Sequence, residues 1–249
     1  MSGDMSQTLF ERNWEIYNRI IECNGLRHAE LIAEWQKALT NAPITNTDAP
    51  VTIADIGAGD CSIPCSVLKA CPSIKVKKYT AVDLAAAPLV KAKIHLENAI
   101  PSCSSIVLVQ ADMLSWIDTC IAEGTSYDII LTSLCVHHLT TEKKQQFLQK
   151  AKNILNPNGG LFLWADVYNA FPSDKQLSRQ ELFDIWEDHL APLYHTLTPE
   201  EIKGDIFGHI REFDYPEPLE SYEKMVKEAG FTFEVLYKDG FYIWTAALH

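Results

Sequence analysis

The chain has no apolar run that approaches the roughly 18 residues a membrane-crossing helix needs, and its start lacks the basic and then apolar stretches of a leader. A soluble cytoplasmic protein is expected. Positive charge is also scarce: 21 Lys and Arg stand against 33 Asp and Glu, a formal net of −12, with no basic stripe. Nucleic-acid binding runs on phosphate neutralisation by Lys and Arg, so it is disfavoured, and a neutral or cationic small molecule is the better partner. The seven cysteines are odd in number and contain no CxxC pair, which suits buried thiols in a reducing compartment and not a disulfide framework. Cys61, Cys65 and Cys71 are close enough in sequence to consider a soft metal or an arsenical, but helical spacing onto a core face accounts for them. No metal is expected. There is no internal repeat and no low-complexity segment.

What is present is enough for one sizeable core: 249 residues, 47% of them hydrophobic. Amphipathic helices are expected over about 8–23 and 26–40, the first opened by a capping-box pattern at Thr8 and Glu11. From residue 51 the chain alternates. VTIADIG, VKKYTAVD, SIVLVQAD, YDIILTS and GLFLWADV read as strands, with helical segments between them. Five short β-branched runs separated by helices predict a doubly wound α/β fold around a parallel sheet buried on both faces. Two further strands, FTFEVLY and FYIWTAAL, are joined across KDG, a link so short that they must pair antiparallel. A seven-stranded, mostly parallel, Rossmann-like sheet ending in a hairpin is expected.

Ligands of such sheets sit outside the carboxyl ends of the strands. Strand one closes in Asp55-Ile56-Gly57-Ala58-Gly59-Asp60, strand two in Asp83, strand three in Asp112-Met113, and strand four in Ser133 followed by LCVHHL. A dinucleotide site wants G-x-G-x-x-G with the pyrophosphate on a helix N-terminus. Here the third glycine position is Ser62, and Asp60 would stand beside the phosphates. A sulfonium cofactor with an amino-acid tail carries no phosphate, and it tolerates those acids.

These residues resemble the class I S-adenosylmethionine-dependent methyltransferases. ADIGAGDC is similar to the glycine-rich first motif, YTAVDL to the acidic second, VQADML to the third, YDIILTSLCVHHL to the fourth-strand motif and ILNPNGGLFLWADV to the turn into strand five. The likeness covers about 50–166 and 218–249 and is nearest to small-molecule enzymes of the quinone-biosynthesis type. It implies S-adenosylmethionine as cofactor. Gly57, Ala58 and Gly59 would bracket the methionine tail, with Asp55 or Asp60 near its ammonium. Asp83 would take the ribose hydroxyls, Leu84 would pack on adenine, and Asp112 and Met113 would hold the adenine edge. Ser133 and Leu134 would line the sulfonium. Cys61 departs from the pattern, standing where many relatives have a third glycine.

The resemblance also implies one domain over 1–249, with 1–45 as a helical lid, 50–166 and 218–249 as the cofactor-binding core, and 167–217 as a helical insertion on the substrate side. Between 167 and 220 twelve acids face four bases, a net of −8, most of it expected to be a solvated face. Helical spacing puts Leu182, Trp186, His189 and Leu193 on one face, and Ile202, Ile206, His209 and Ile210 on another. His209, His189 and His138 are the candidate general bases. Trp14, Tyr17, His137 and Trp186 are candidates for contact with the acceptor, and Arg211 or Arg179 for clamping a carboxylate. The expected activity is methyl transfer to an O or N atom of a small metabolite, by a monomer or homodimer without nucleic-acid or membrane partners. Base-independent methylation of a thiol, halide or arsenical, or cofactor binding without turnover, are the alternatives.

Overall fold

The computed structural model describes residues 15–45, 49–169, 178–239 and 242–249. Seven strands form one sheet: β1 Val51–Ile56, β2 Val76–Asp83, β3 Ser105–Gln110, β4 Ile129–Ser133, β5 Leu161–Val167, β6 Phe233–Lys238 and β7 Ile243–Leu248. Their order is β3-β2-β1-β4-β5-β7-β6; the first five are parallel, and β7 runs antiparallel to both β5 and β6. This is the doubly wound sheet with a closing hairpin. The connection reverses between β1 and β4, which opens a crevice at their carboxyl ends.

The helices are α1 (15–22 among the described residues), α2 His28–Asn41, α3 Ser62–Ala70, α4 Ala86–Ala99, α5 Met113–Ala122, α6 Thr141–Ile154, α7 Arg179–Leu190, α8 Phe207–Phe213 and α9 Leu219–Glu228. Alternate strand residues serve two cores, as the pleat requires. On β5, Leu161, Leu163, Ala165 and Val167 pack with α2, α3 and α4, while Phe162 and Trp164 pack with α5, α6 and α9. All seven residues of β5 are buried, so the strand reads as one apolar run broken by Asp166. No helix among the described residues is long and apolar enough to cross a membrane.

The first capping box falls on residues outside those described, as do Phe10 and Trp14. The two later ones form. Ser178 and Glu181 bond reciprocally at the start of α7, and Thr198 and Glu201 do the same further on. After the second box the chain winds as a π-helix over Glu201–Ile206 before α8 begins. The wider turn changes the rotational phase of α8, whose third residue is His209. On α7 the buried face is Leu182, Phe183, Trp186 and Leu190. His189, one residue away from Leu190 and so about 100° around the helix, is exposed with its Nδ1 2.9 Å from the Ile185 carbonyl.

Trp35 fastens α2 to the sheet: its Nε1 donates to Thr245 Oγ1 at 2.7 Å, and that hydroxyl donates to the Trp164 carbonyl at 2.9 Å. All three residues are fully buried. Replacing Trp35 with Phe keeps an aromatic ring but leaves Thr245 one partner short, a loss of about 1–3 kcal/mol. Urea unfolding should show a lower midpoint at unchanged slope; an unmoved midpoint would remove Trp35 as the fastener.

Candidate functional site

After β1 the chain passes through three left-handed residues, Gly57 at φ 71°, Gly59 at φ 53° and Cys61 at φ 59°. Glycine is needed at 57 for a second reason, since a Cβ there would meet Cys135 Sγ at 2.3 Å. Cys61 is the departure from the glycine pattern, and it holds a backbone shape that costs an L-residue about 1–2 kcal/mol. Its side chain is fully buried.

The amides of this turn are already committed to the protein. Gly57 and Ala58 donate to the Val82 carbonyl at 2.8 and 2.9 Å, Gly59 to Asp83 Oδ2 at 2.8 Å, Cys61 to the Ala58 carbonyl at 2.8 Å and Ser62 to Asp60 Oδ1 at 3.0 Å. A pyrophosphate would need such donors, and the carboxylate of Asp60 already occupies the mouth of α3. The second oxygen of Asp83 accepts from the Ala85 amide at 2.8 Å. Burial raises the Asp83 carboxyl, and the amides of Ala85, Gly59 and Leu84 pull it back down. Asp112 caps α5 through Oδ1, which accepts from the Ser115 amide at 3.0 Å, and Met113 opens that helix.

A cavity of about 320 Å³ runs from this turn along the strand ends. Gly57, Ala58, Gly59, Asp60, Asp83, Leu84, Asp112 and Met113 line one end, Ser133 and Leu134 the middle, and His137 and His138 the far end. Tyr17 of α1, Trp186 of α7, Tyr194, Ile206 and His209 close it from the other side, with Asp214 and Tyr242. None of the described lining residues is Lys or Arg. Leu134 is itself left-handed, at φ 53°.

At the far end His137 Nδ1 is 2.5 Å from Asp166 Oδ1, and its Nε2 is 3.7 Å from Asp214 Oδ1. His138 Nδ1 is 3.0 Å from the same Asp214 oxygen. The His138 and His209 rings meet edge to face at 5.3 Å between centroids. Burial opposes a charge on His137, yet the carboxylates of Asp214 and Asp166 hold its pKa above the ordinary value. Burial lowers His209 to about 4, against the pull of Asp214.

Residues 54–161 match the family model described as methyltransferase domain. This stretch, under half of the chain, is similar to a methyltransferase domain. Magnesium protoporphyrin IX methyltransferase from Synechocystis PCC 6803, solved with bound SAH, superposes with a TM-score of 0.58 at 11% identity, over 98% of each chain. An O-methyltransferase family protein from Burkholderia thailandensis gives 0.57 at 14% identity, over 96% of this chain and 70% of that one. The mitomycin 7-O-methyltransferase gives 0.55 at 14% identity, and this chain spans about half of its length, 53%, while 88% of this chain is covered. At such identities the likeness is one of fold. No protein of curated function matches by sequence.

Within residues 54–161, every expected cofactor residue but Asp55 lines the cavity. Asp55 lies behind it, fully buried, accepting from Tyr79 Oη at 2.8 Å. Of the expected acceptor-side residues, Tyr17, His137, His138, Trp186 and His209 line the cavity and His189 does not. Arg211 does not either: it pairs with Asp184 at 3.1 Å and with Glu187 on α7. Arg179 reaches the Asp214 carbonyl at 2.7 Å and lies over Tyr215. Trp14 is outside the described residues. Sequence reasoning passed over Asp166 and Asp214. An acid inside the apolar run LFLWADV was a signal, because a buried charge needs a partner.

Burial raises the Asp55 carboxyl to about 7, against the hydrogen bond from Tyr79, which lowers it. The folded state therefore holds a proton that the unfolded chain releases near its ordinary value of 3.8. The associated stability is fully present below about 4 and is lost as pH rises through about 7, a change of roughly 4 kcal/mol at about 1.4 kcal/mol per unit. Across this window, thermal melts should show wild-type stability falling relative to Asp55→Asn as pH rises. Parallel curves would show that Asp55 does not titrate on unfolding.

Proposed function

We propose that this chain transfers a methyl group from S-adenosylmethionine to an oxygen or nitrogen atom of a small metabolite. The observation that carries the reading is the continuous cavity that joins the acids closing β1, β2 and β3 to the histidines after β4. Asp83 is the ribose ligand in this reading, its two oxygens held by Gly59 and Ala85 so that their remaining lone pairs are presented together. Asp60 receives the methionine ammonium, Asp112 and Met113 hold the adenine, and Ser133 and Leu134 flank the sulfonium. Neutral groups at that point are appropriate, because the sulfonium loses its charge as the methyl leaves.

The acceptor lies against Tyr17, Trp186, His138 and His209. His209 is the group that takes a proton from an O–H or N–H acceptor, and His138 orients it. With Arg211 and Arg179 engaged elsewhere and no Lys or Arg among the described lining residues, a phenol, alcohol or amine suits the pocket better than a carboxylate. The described parts of 1–45 and 167–217 close the pocket from the acceptor side. They are already linked where Arg19 of α1 meets Glu201 at 2.6 Å.

Calorimetric titration with S-adenosylmethionine, with its demethylated product and with NAD tests the cofactor. Binding of the first two and not the third is expected, and Asp83→Ala should weaken both by at least about tenfold. Failure of both adenosyl ligands to bind would overturn the proposal. Once an acceptor turns over, His209→Ala should lower kcat by about 10²–10⁴ with cofactor affinity intact. An unchanged kcat would favour a thiol, halide or arsenical acceptor that has no proton to lose.

A further inference from the structure

We propose that His137, His138 and Asp214 form a binding site for a divalent first-row transition-metal ion at the acceptor end of the cavity. One ligand atom from each lies within 4.8 Å of the other two. The separations from Asp214 Oδ1, 3.0 Å to His138 Nδ1 and 3.7 Å to His137 Nε2, bracket the roughly 3.4 Å edge of a tetrahedron centred about 2.1 Å from its ligands. Donors so spaced need little movement to share one ion.

A second observation is independent of that spacing. His137 is backed by Asp166, which is fully buried and also accepts from Trp164 Nε1 at 3.0 Å and from the Val167 amide at 2.9 Å. A carboxylate held in this way fixes the imidazole with Nε2 toward Asp214, the arrangement that stands behind metal-ligating histidines. The ligands are also rigidly mounted. The Tyr215 amide donates to the His137 carbonyl at 2.8 Å, Arg179 holds the Asp214 carbonyl, and the buried Lys144 is occupied with the Tyr215 carbonyl and Glu217. Two imidazoles and one carboxylate suit Zn²⁺, Fe²⁺, Co²⁺ or Ni²⁺ better than Mg²⁺ or Ca²⁺, and three protein ligands leave a position open to the cavity.

The role of the ion rests on the methyl-transfer reading; its binding does not. An acceptor hydroxyl on the open position becomes more acidic. In the transfer its proton passes to His209, the O–C bond forms as the methyl carbon leaves sulfur, and the C–S electron pair stays on sulfur as the neutral thioether.

The test uses tag-free full-length protein, dialysed against a chelator and titrated with Co²⁺ and then Zn²⁺, read by visible absorption and by metal analysis after equilibrium dialysis. One ion per chain is expected, with d–d bands and no thiolate charge-transfer band of the kind the cysteines would give. His138→Gln and Asp214→Asn should each weaken it by at least about tenfold. Thermal melts check that the variants fold; if Asp214→Asn does not, His138→Gln decides alone, since that ring is at the cavity edge. Absence of binding, or binding indifferent to His138→Gln, would overturn the proposal and leave a buried ion-pair cluster. Titrating S-adenosylmethionine separately keeps the two readings apart: cofactor binding without Co²⁺ binding defeats the metal site alone, and the reverse defeats the cofactor assignment alone.

Discussion

One buried imidazole joins the three parts of this molecule that must meet for a site to exist. His137 follows β4, Asp166 belongs to β5, and Asp214 ends α8 in the insertion. The ring lies between both carboxylates, so the insertion is anchored to the strand ends by charge as well as by apolar contact. A buried charge left without its partner costs about 3–5 kcal/mol, far more than an exposed pair contributes. The junction is reinforced from the main chain, by the Tyr215 amide on the His137 carbonyl and by Lys144 on the Tyr215 carbonyl. The roof of the cavity therefore has a fixed height above Ser133 and Leu134, although the helices that make it are far from the sheet in sequence.

The acidity of the insertion takes on a different meaning in this light. Glu181 closes the capping box of α7, Asp184 and Glu187 hold Arg211, Glu201 holds Arg19 and caps its own helix, and Glu217 pairs with Lys144. A run of acids read from composition is a solvated face; read from the fold, half of it is fastening. The exposed pairs among these contribute little each, about 0–1 kcal/mol, so their effect is to set the orientation of α7, α8 and α1 more than to stabilise them.

The sheet was legible in the sequence because strand length and β-branched content are local properties. VKKYTAVD is β2 to the residue, and the acids expected at the strand ends are there because a strand can only end where its apolar run ends. The placement of Gly57 to Asp60, Asp83 and Asp112 along the cavity followed from the same logic. Across from them, Tyr17, Trp186 and His209 line the cavity as helical spacing suggested, but His189 does not. His189 and Leu190 differ by one residue, and only the packing of α7 on the core decides which of them is buried. The π-helix over Glu201–Ile206 departs from the 3.6 period, yet Ile206, His209 and Ile210 still line the cavity together. Asp55 was misplaced for a related reason. It sits in the strand, one residue before the chain leaves it, and its side chain points to the core face where Tyr79 of β2 waits.

The turns after β1 and β4 are a single device. Thr132 Oγ1 donates to the Ile56 carbonyl at 2.8 Å, and Cys135 Sγ reaches the same oxygen at 3.4 Å. Cys135 also fills the space that a side chain at Gly57 would need. Each turn carries a left-handed non-glycine residue, Cys61 in one and Leu134 in the other. Such conformations persist only where surrounding contacts over-determine them. Here the Leu134 amide is held by the Ala165 carbonyl, and the fully buried Cys61 has its amide on the Ala58 carbonyl. The two turns thus define each other's shape at the point where β1 and β4 part, and substitutions at Gly57 and Cys135 should not act additively, since each occupies volume the other requires. A glycine at position 61 would relax one turn but leave a cavity where a fully buried side chain now packs. That exchange gives a physical reason for a cysteine where the pattern has a glycine.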